Sequence, residues 1–226
     1  MNIVNLSHYE QAIFVLSALV LYTSFSMLAQ SRLFNLINVF AWQGTLLGMT
    51  AALVAFISNQ PHLYISALLT LVLKAWLIPW MLRKQVMRLK LQREIETLAT
   101  PTLTSLAGVG LVIFSYYIAL PIKSLSNSIT RNTISESLAI VLLAMLLIIT
   151  RRQAVSQVVG FMAIENGLFF AALVSTYGMP MIVELGIAFD VLVAAVLFGV
   201  FFFEMRSSID SLDVDQMNRL HEVDKR

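Results

Sequence analysis

Three ionisable side chains stand inside long apolar runs, where a bilayer would make them costly: Lys74 in LYISALLTLVLKAWLIPW, Glu165 in the run from Gln153, and Asp190 in the run ending at Phe203. Counted at helical rise, Glu165 lies about 20 Å beyond the Arg151-Arg152 pair and Asp190 about 15 Å past Pro180. Lys74 falls about 18 Å from the outer end of its own run, so all three reach the level of a membrane midplane. Burial disfavours the charged form of an acid and a nearby ammonium favours it, so carboxyls placed in this way can exchange protons. Glu184, four residues past Pro180, could serve as an outer uptake or release group or simply sit in the interface. The less functional alternatives are a buried ion pair of Lys74 with Glu165 or Asp190, or acids that only bond neighbouring helices. Glu136 and Glu204 read as interfacial.

The surroundings of these residues are those of an integral membrane protein. Of 226 residues, 58% are hydrophobic and 12% charged, with mean hydropathy +0.81, against about 25% charged in a soluble domain. The chain has no Cys, which excludes disulfides, thiolate zinc sites and iron-sulfur ligation by this chain. His8, His62 and His221 lack ligand spacing, so no metal and no bound cofactor are expected. No phosphate-binding glycine loop is present, no nucleic-acid partner is expected, and the start of the chain does not read as a cleaved signal peptide.

The expected fold is all-α and polytopic, with about seven transmembrane helices. The spans run from Gln11 to Ala29, Leu33 to Ile57 and Leu63 to Leu82. A fourth goes from Pro101 to near Pro121, a fifth covers about Leu138 to Thr150, and two more make up the stretch from Gln153 to Phe203. Arg32, the cluster from Arg83 to Arg93, Arg151, Arg152 and Arg206 fall on one side, against Lys123 and Arg131 on the other. The positive-inside rule then places the N-terminus outside and the C-terminus in the cytoplasm. Residues 1–100 form an N-terminal three-helix unit with a basic cytoplasmic segment, 101–133 a linker helix and outer loop, 134–205 a second three-helix unit, and 206–226 a cytoplasmic tail. The recurrence of AALV at 51–54 and 171–174, each 19 residues after an arginine, suggests a three-helix internal repeat.

In the sixth span Gly160, Ala163, Gly167, Ala171 and Gly178 make a stripe of small residues that admits a close neighbour. Glu165 lies about 200° around the helix from Ala163. In the seventh, Gly186, Asp190 and Ala194 share one face. Both faces of the sixth helix therefore need covering, and partner subunits are expected to do part of it.

The run of Arg151-Arg152, Gly160, AIENGLFFAALV and a last helix with a mid-membrane acid resembles the NuoK subunit of respiratory complex I and the MrpC antiporter subunit, over about residues 135–205. Nearly the whole chain is similar to the hydrogenase-4 component E (HyfE) family of group 4 membrane-bound [NiFe] hydrogenases and formate hydrogenlyase. The resemblance implies a non-catalytic membrane subunit of an oxidoreductase complex in a bacterial or archaeal plasma membrane. It also implies antiporter-like and NuoH-like membrane partners, and soluble hydrogenase subunits that carry the NiFe centre and iron-sulfur clusters. Aligned on Gly160 and Asn166, the family's glutamate of this helix falls at Met162, with Glu165 three residues later. Asp190 takes the place of the second. Proton relay by Glu165, Asp190, Lys74 and Glu184 is the role so implied. An Mrp-type cation/proton antiporter subunit, or a bridge with no relay role, would share these features.

Overall fold

The computed structural model describes residues 8–58, 61–88, 100–121 and 128–175, with 186, 188–196 and 199 of the final apolar stretch. Those residues fold into α1 (His8–Ala29), α2 (Leu33–Ser58), α3 (Pro61–Thr70), α4 (Ile78–Arg88), α5 (Pro101–Ile118), α6 (Ser128–Thr150) and α7 (Ala154–Ser175). A π-helical segment, Leu71–Leu77, joins α3 to α4 in one continuous rod, and a further helical stretch covers 188–196. Five stretches are long and apolar enough to cross a membrane: Gln11–Ala29, Leu33–Ser58, Leu63–Met87, Thr133–Thr150 and Ala154–Ser175. α5 contributes a shorter apolar one, Thr102–Ile118. The seventh expected span is described only at the residues given above.

The core is apolar, yet large apolar side chains also cover the surface and several polar ones are enclosed. Tyr22, Trp42, Trp76, Leu106 and Leu168 are exposed, while Gln43, Lys74, Asn166 and Asp190 are enclosed. That distribution suits helices surrounded by lipid or by other membrane helices.

Glycines set the tightest contacts. A Cβ on Gly160 would lie 2.6 Å from Ile148 Cγ1, and one on Gly167 would lie 2.9 Å from Val141 Cγ2. At Gly160 and Gly167 the small-residue stripe thus packs against α6 of the same chain. On α2, Gly44 and Gly48 face the π segment, where a Cβ would meet Lys74 Cβ at 2.8 Å and Leu71 Cγ at 2.4 Å. Only glycine lets the two backbones approach this closely.

Two expectations about helix limits change. The third span is not a regular α-helix: its π segment, closed by the Ile78 N–H bonding back to Leu73 O, shifts the face presented by every later residue. The helix of the fifth span begins at Ser128, ten residues before the expected Leu138, and its apolar span at Thr133, so the boundary drawn between 133 and 134 falls inside a helix. Hydroxyls in this polar segment bond their own backbone, as Ser137 does to Thr133 O at 2.6 Å, and so tolerate burial.

One end of the bundle is stapled by arginine. Arg151 is buried, and its Nη2 donates to Leu28 O at 2.6 Å and Gln30 O at 3.0 Å. Burial lowers its pKa from the ordinary arginine value, while the carbonyls at the C-terminus of α1 are a natural seat for a cation. At the same end Arg83 Nη2 donates to Asn38 Oδ1 at 2.6 Å.

Candidate functional site

The three midplane charges converge. Lys74, from the π segment, is wholly buried and donates to Glu165 Oε2 and, at 2.9 Å, to Asn166 Oδ1. Its Nζ also lies 3.4 Å from Asp190 Oδ2 and 5.0 Å from the centre of the Phe169 ring. Residues more than 90 positions apart in the chain thus surround one ammonium. Gly44 makes this possible from behind, since any larger residue would push the lysine backbone off α2.

A directed hydrogen-bond chain continues from the lysine. Asn166 Nδ2 donates to Gln43 Oε1 at 2.9 Å, Gln43 Nε2 to Ser24 Oγ at 2.6 Å, and Ser24 Oγ to Val20 O at 3.0 Å. Every donor points away from Lys74, so each amide presents its oxygen toward the positive charge. Such aligned chains polarise one another and hold the ammonium against α7, α2 and α1 together.

The charges do not balance. One ammonium faces two carboxyls, so full ionisation leaves a net negative charge in a dry place, and one added proton removes it. Among the described residues no hydrogen bond reaches Glu165 Oε1 or either oxygen of Asp190. Asp190 Oδ2 is held only by its ion pair with Lys74, and Glu165 Oε1 and Asp190 Oδ1 are open to a proton or another donor. Glu165 also borders an open-sided cavity of about 330 Å³, otherwise lined by Phe161, Ile164, Leu168, Phe169, Gly186 and Phe189. Gly186 keeps this side open for Phe169 and Glu165, since a Cβ there would lie 2.9 Å from Phe169 Cδ2 and 3.4 Å from Glu165 Oε1.

Of the four residues singled out from sequence, Lys74, Glu165 and Asp190 are brought together, whereas Glu184 lies outside the described residues. Met162, where the family's glutamate would align, is packed in the apolar core with Leu143 and Leu147. Glu165, nearly one turn further on, is the acid that meets the lysine. Gln43, Asn166 and Gly44 were not singled out for this site, although an amide or a G-x-x-x-G pair within an apolar run is a readable signal. Glu136 is buried within the protein and receives a hydrogen bond from Tyr116 Oη at 3.3 Å. Among the described residues, no group of three or more His, Asp or Glu could hold a metal ion.

No family model and no solved structure matches the chain. It is 32% identical over 188 residues to the uncharacterized protein Rv0085 of Mycobacterium tuberculosis (strain ATCC 25618 / H37Rv), an alignment covering 83% of this chain and 86% of that protein. The chain belongs to the same family as Rv0085.

Proposed function

We propose that this chain is a membrane subunit of an energy-converting hydrogenase complex of the formate hydrogenlyase type, related to complex I, and that Lys74, Glu165 and Asp190 carry protons through it. The observation behind this reading is the buried cluster of one ammonium and two carboxyls, with Glu165 Oε1 and Asp190 Oδ1 free of hydrogen bonds and ion pairs among the described residues. A cluster short of one positive charge gains or loses a proton at small cost in net charge, and movement of Lys74 would change which carboxyl holds it. The chain crosses the membrane seven times with its C-terminus cytoplasmic; the gathering of Arg83 and Arg151 at one end of the bundle supports that orientation. The soluble partners supply the NiFe centre and iron-sulfur clusters.

A second reading has support of its own. The chain of bonds from Lys74 to Val20 joins the π segment to α7, α2 and α1, as a purely structural fastener would. Glu165→Gln separates the two. In vesicles, with partners identified by mass spectrometry after copurification, the relay reading expects an assembled complex whose soluble electron transfer persists while protons moved per turnover fall sharply. An unchanged ratio would leave Glu165 as a fastener.

A further inference from the structure

A second acid is enclosed in this fold, away from Lys74. Glu136 of α6 is 3% exposed, and one carboxyl oxygen, Oε1, accepts from Tyr116 of α5. Ser17 of α1, itself buried, borders the same carboxyl, with its hydroxyl hydrogen donated to Phe14 O at 2.8 Å. The other oxygen, Oε2, is buried with no hydrogen bond, and both ion pairs among the described residues belong to Lys74. Buried carboxylates are normally matched by a cation or a ring of donors. Among the described residues Glu136 has neither, and an unmatched buried polar atom in a native fold calls for a functional cause.

Its position is informative. Glu136 lies 15 residues before Arg151 and Gly167 lies 15 after Arg152, so both stand about 22 Å from the same turn. The backbone confirms the level: a Cβ on Gly167 would lie 3.2 Å from Ser137 O. Glu136 thus stands about 3 Å beyond the level of Glu165, counted along the two helices from their shared turn. Tyr116, 40% exposed, connects Glu136 to the outer face of α5.

We propose that Glu136, with Tyr116 and Ser17, is a second proton-exchanging site, which takes up and releases a proton on the α5 flank while the Lys74 cluster does so on the other. The inference rests on the proton-carrying reading above and extends it to a lateral arrangement with two stations.

The test compares Glu136→Gln, Glu136→Asp and Tyr116→Phe with Glu165→Gln in the complete complex, scored as protons moved per turnover and per assembled complex. The expected result is loss of most of the coupled proton movement in Glu136→Gln, recovery in Glu136→Asp, and a smaller loss in Tyr116→Phe. Infrared spectra of the same preparations should show a carboxyl band that is absent from Glu136→Gln and shifted in Tyr116→Phe. Should Glu165→Gln lose proton movement while Glu136→Gln keeps it, the second station is overturned and the first stands. Should neither variant lose it, the proton-carrying reading falls as a whole. A Glu136→Gln complex that fails to assemble, with Glu136→Asp failing equally, would mark the acid as structural and overturn the proposal.

Discussion

The two buried acid sites stand within about one helical turn of each other in depth and are built on opposite principles. Around Lys74, two carboxyls, an amide oxygen and an aromatic ring converge on one ammonium, and glycine lets α2 pack closely behind it. Around Glu136 there is no cation among the described residues, only a phenol and a serine hydroxyl. Burying a charge requires a partner, and removing one member of a buried pair costs more than the pair contributes. The Lys74 site should therefore be fragile toward loss of its one cation, and the Glu136 site tolerant of neutralisation.

That contrast breaks first at the lysine. Lys74→Met strands two carboxyls, and a loss of about 3–5 kcal/mol is expected, visible as a much lower aggregation temperature in detergent. Stability equal to wild type would mean the acids are matched by something else. Gly44→Leu should cost about 1–3 kcal/mol by overpacking against the Lys74 backbone. It should also reduce proton movement without altering any charge. Smallest is Glu136→Gln, for which a change under about 1.5 kcal/mol is expected, because no ion pair is lost and the amide can still accept from Tyr116. A loss as large as that of Lys74→Met would show that Glu136 has an ionic partner and erase the contrast.

The sequence makes some of this plain and hides the rest for physical reasons. A charge in an unbroken apolar run has no water to reach, so Lys74, Glu165 and Asp190 stand out without any knowledge of the fold. The use of the Gly160 and Gly167 stripe for close helix contact is equally readable, although which helix fills it is not, since α6 and a partner subunit present similar apolar surfaces. Depth along the helices already offers a pairing of Lys74 with Glu165 or Asp190. That both acids meet it at once is obscured by the π segment, because a 3.6-residue period assigns wrong faces to everything after Leu71. Glu136 is disguised by its neighbours. Thr133, Ser135 and Ser137 give the segment the look of an interface, yet all three are buried. A hydroxyl in a helix can satisfy itself on the preceding turn, so a polar stretch need not be a wet one. Likewise Arg151 reads as a topology marker but also fastens α1 to the α6–α7 turn.

The claim beneath all of this is that Lys74 and Glu165, 91 positions apart, belong to one buried ionic site. A double-mutant cycle of Lys74→Met, Glu165→Gln and their combination, followed by thermal unfolding of the purified protein, tests it most directly. The expected result is that Glu165→Gln recovers part of the stability lost in Lys74→Met, with a coupling of about 0.5–3 kcal/mol. Strictly additive losses would mean that the two residues do not share a site.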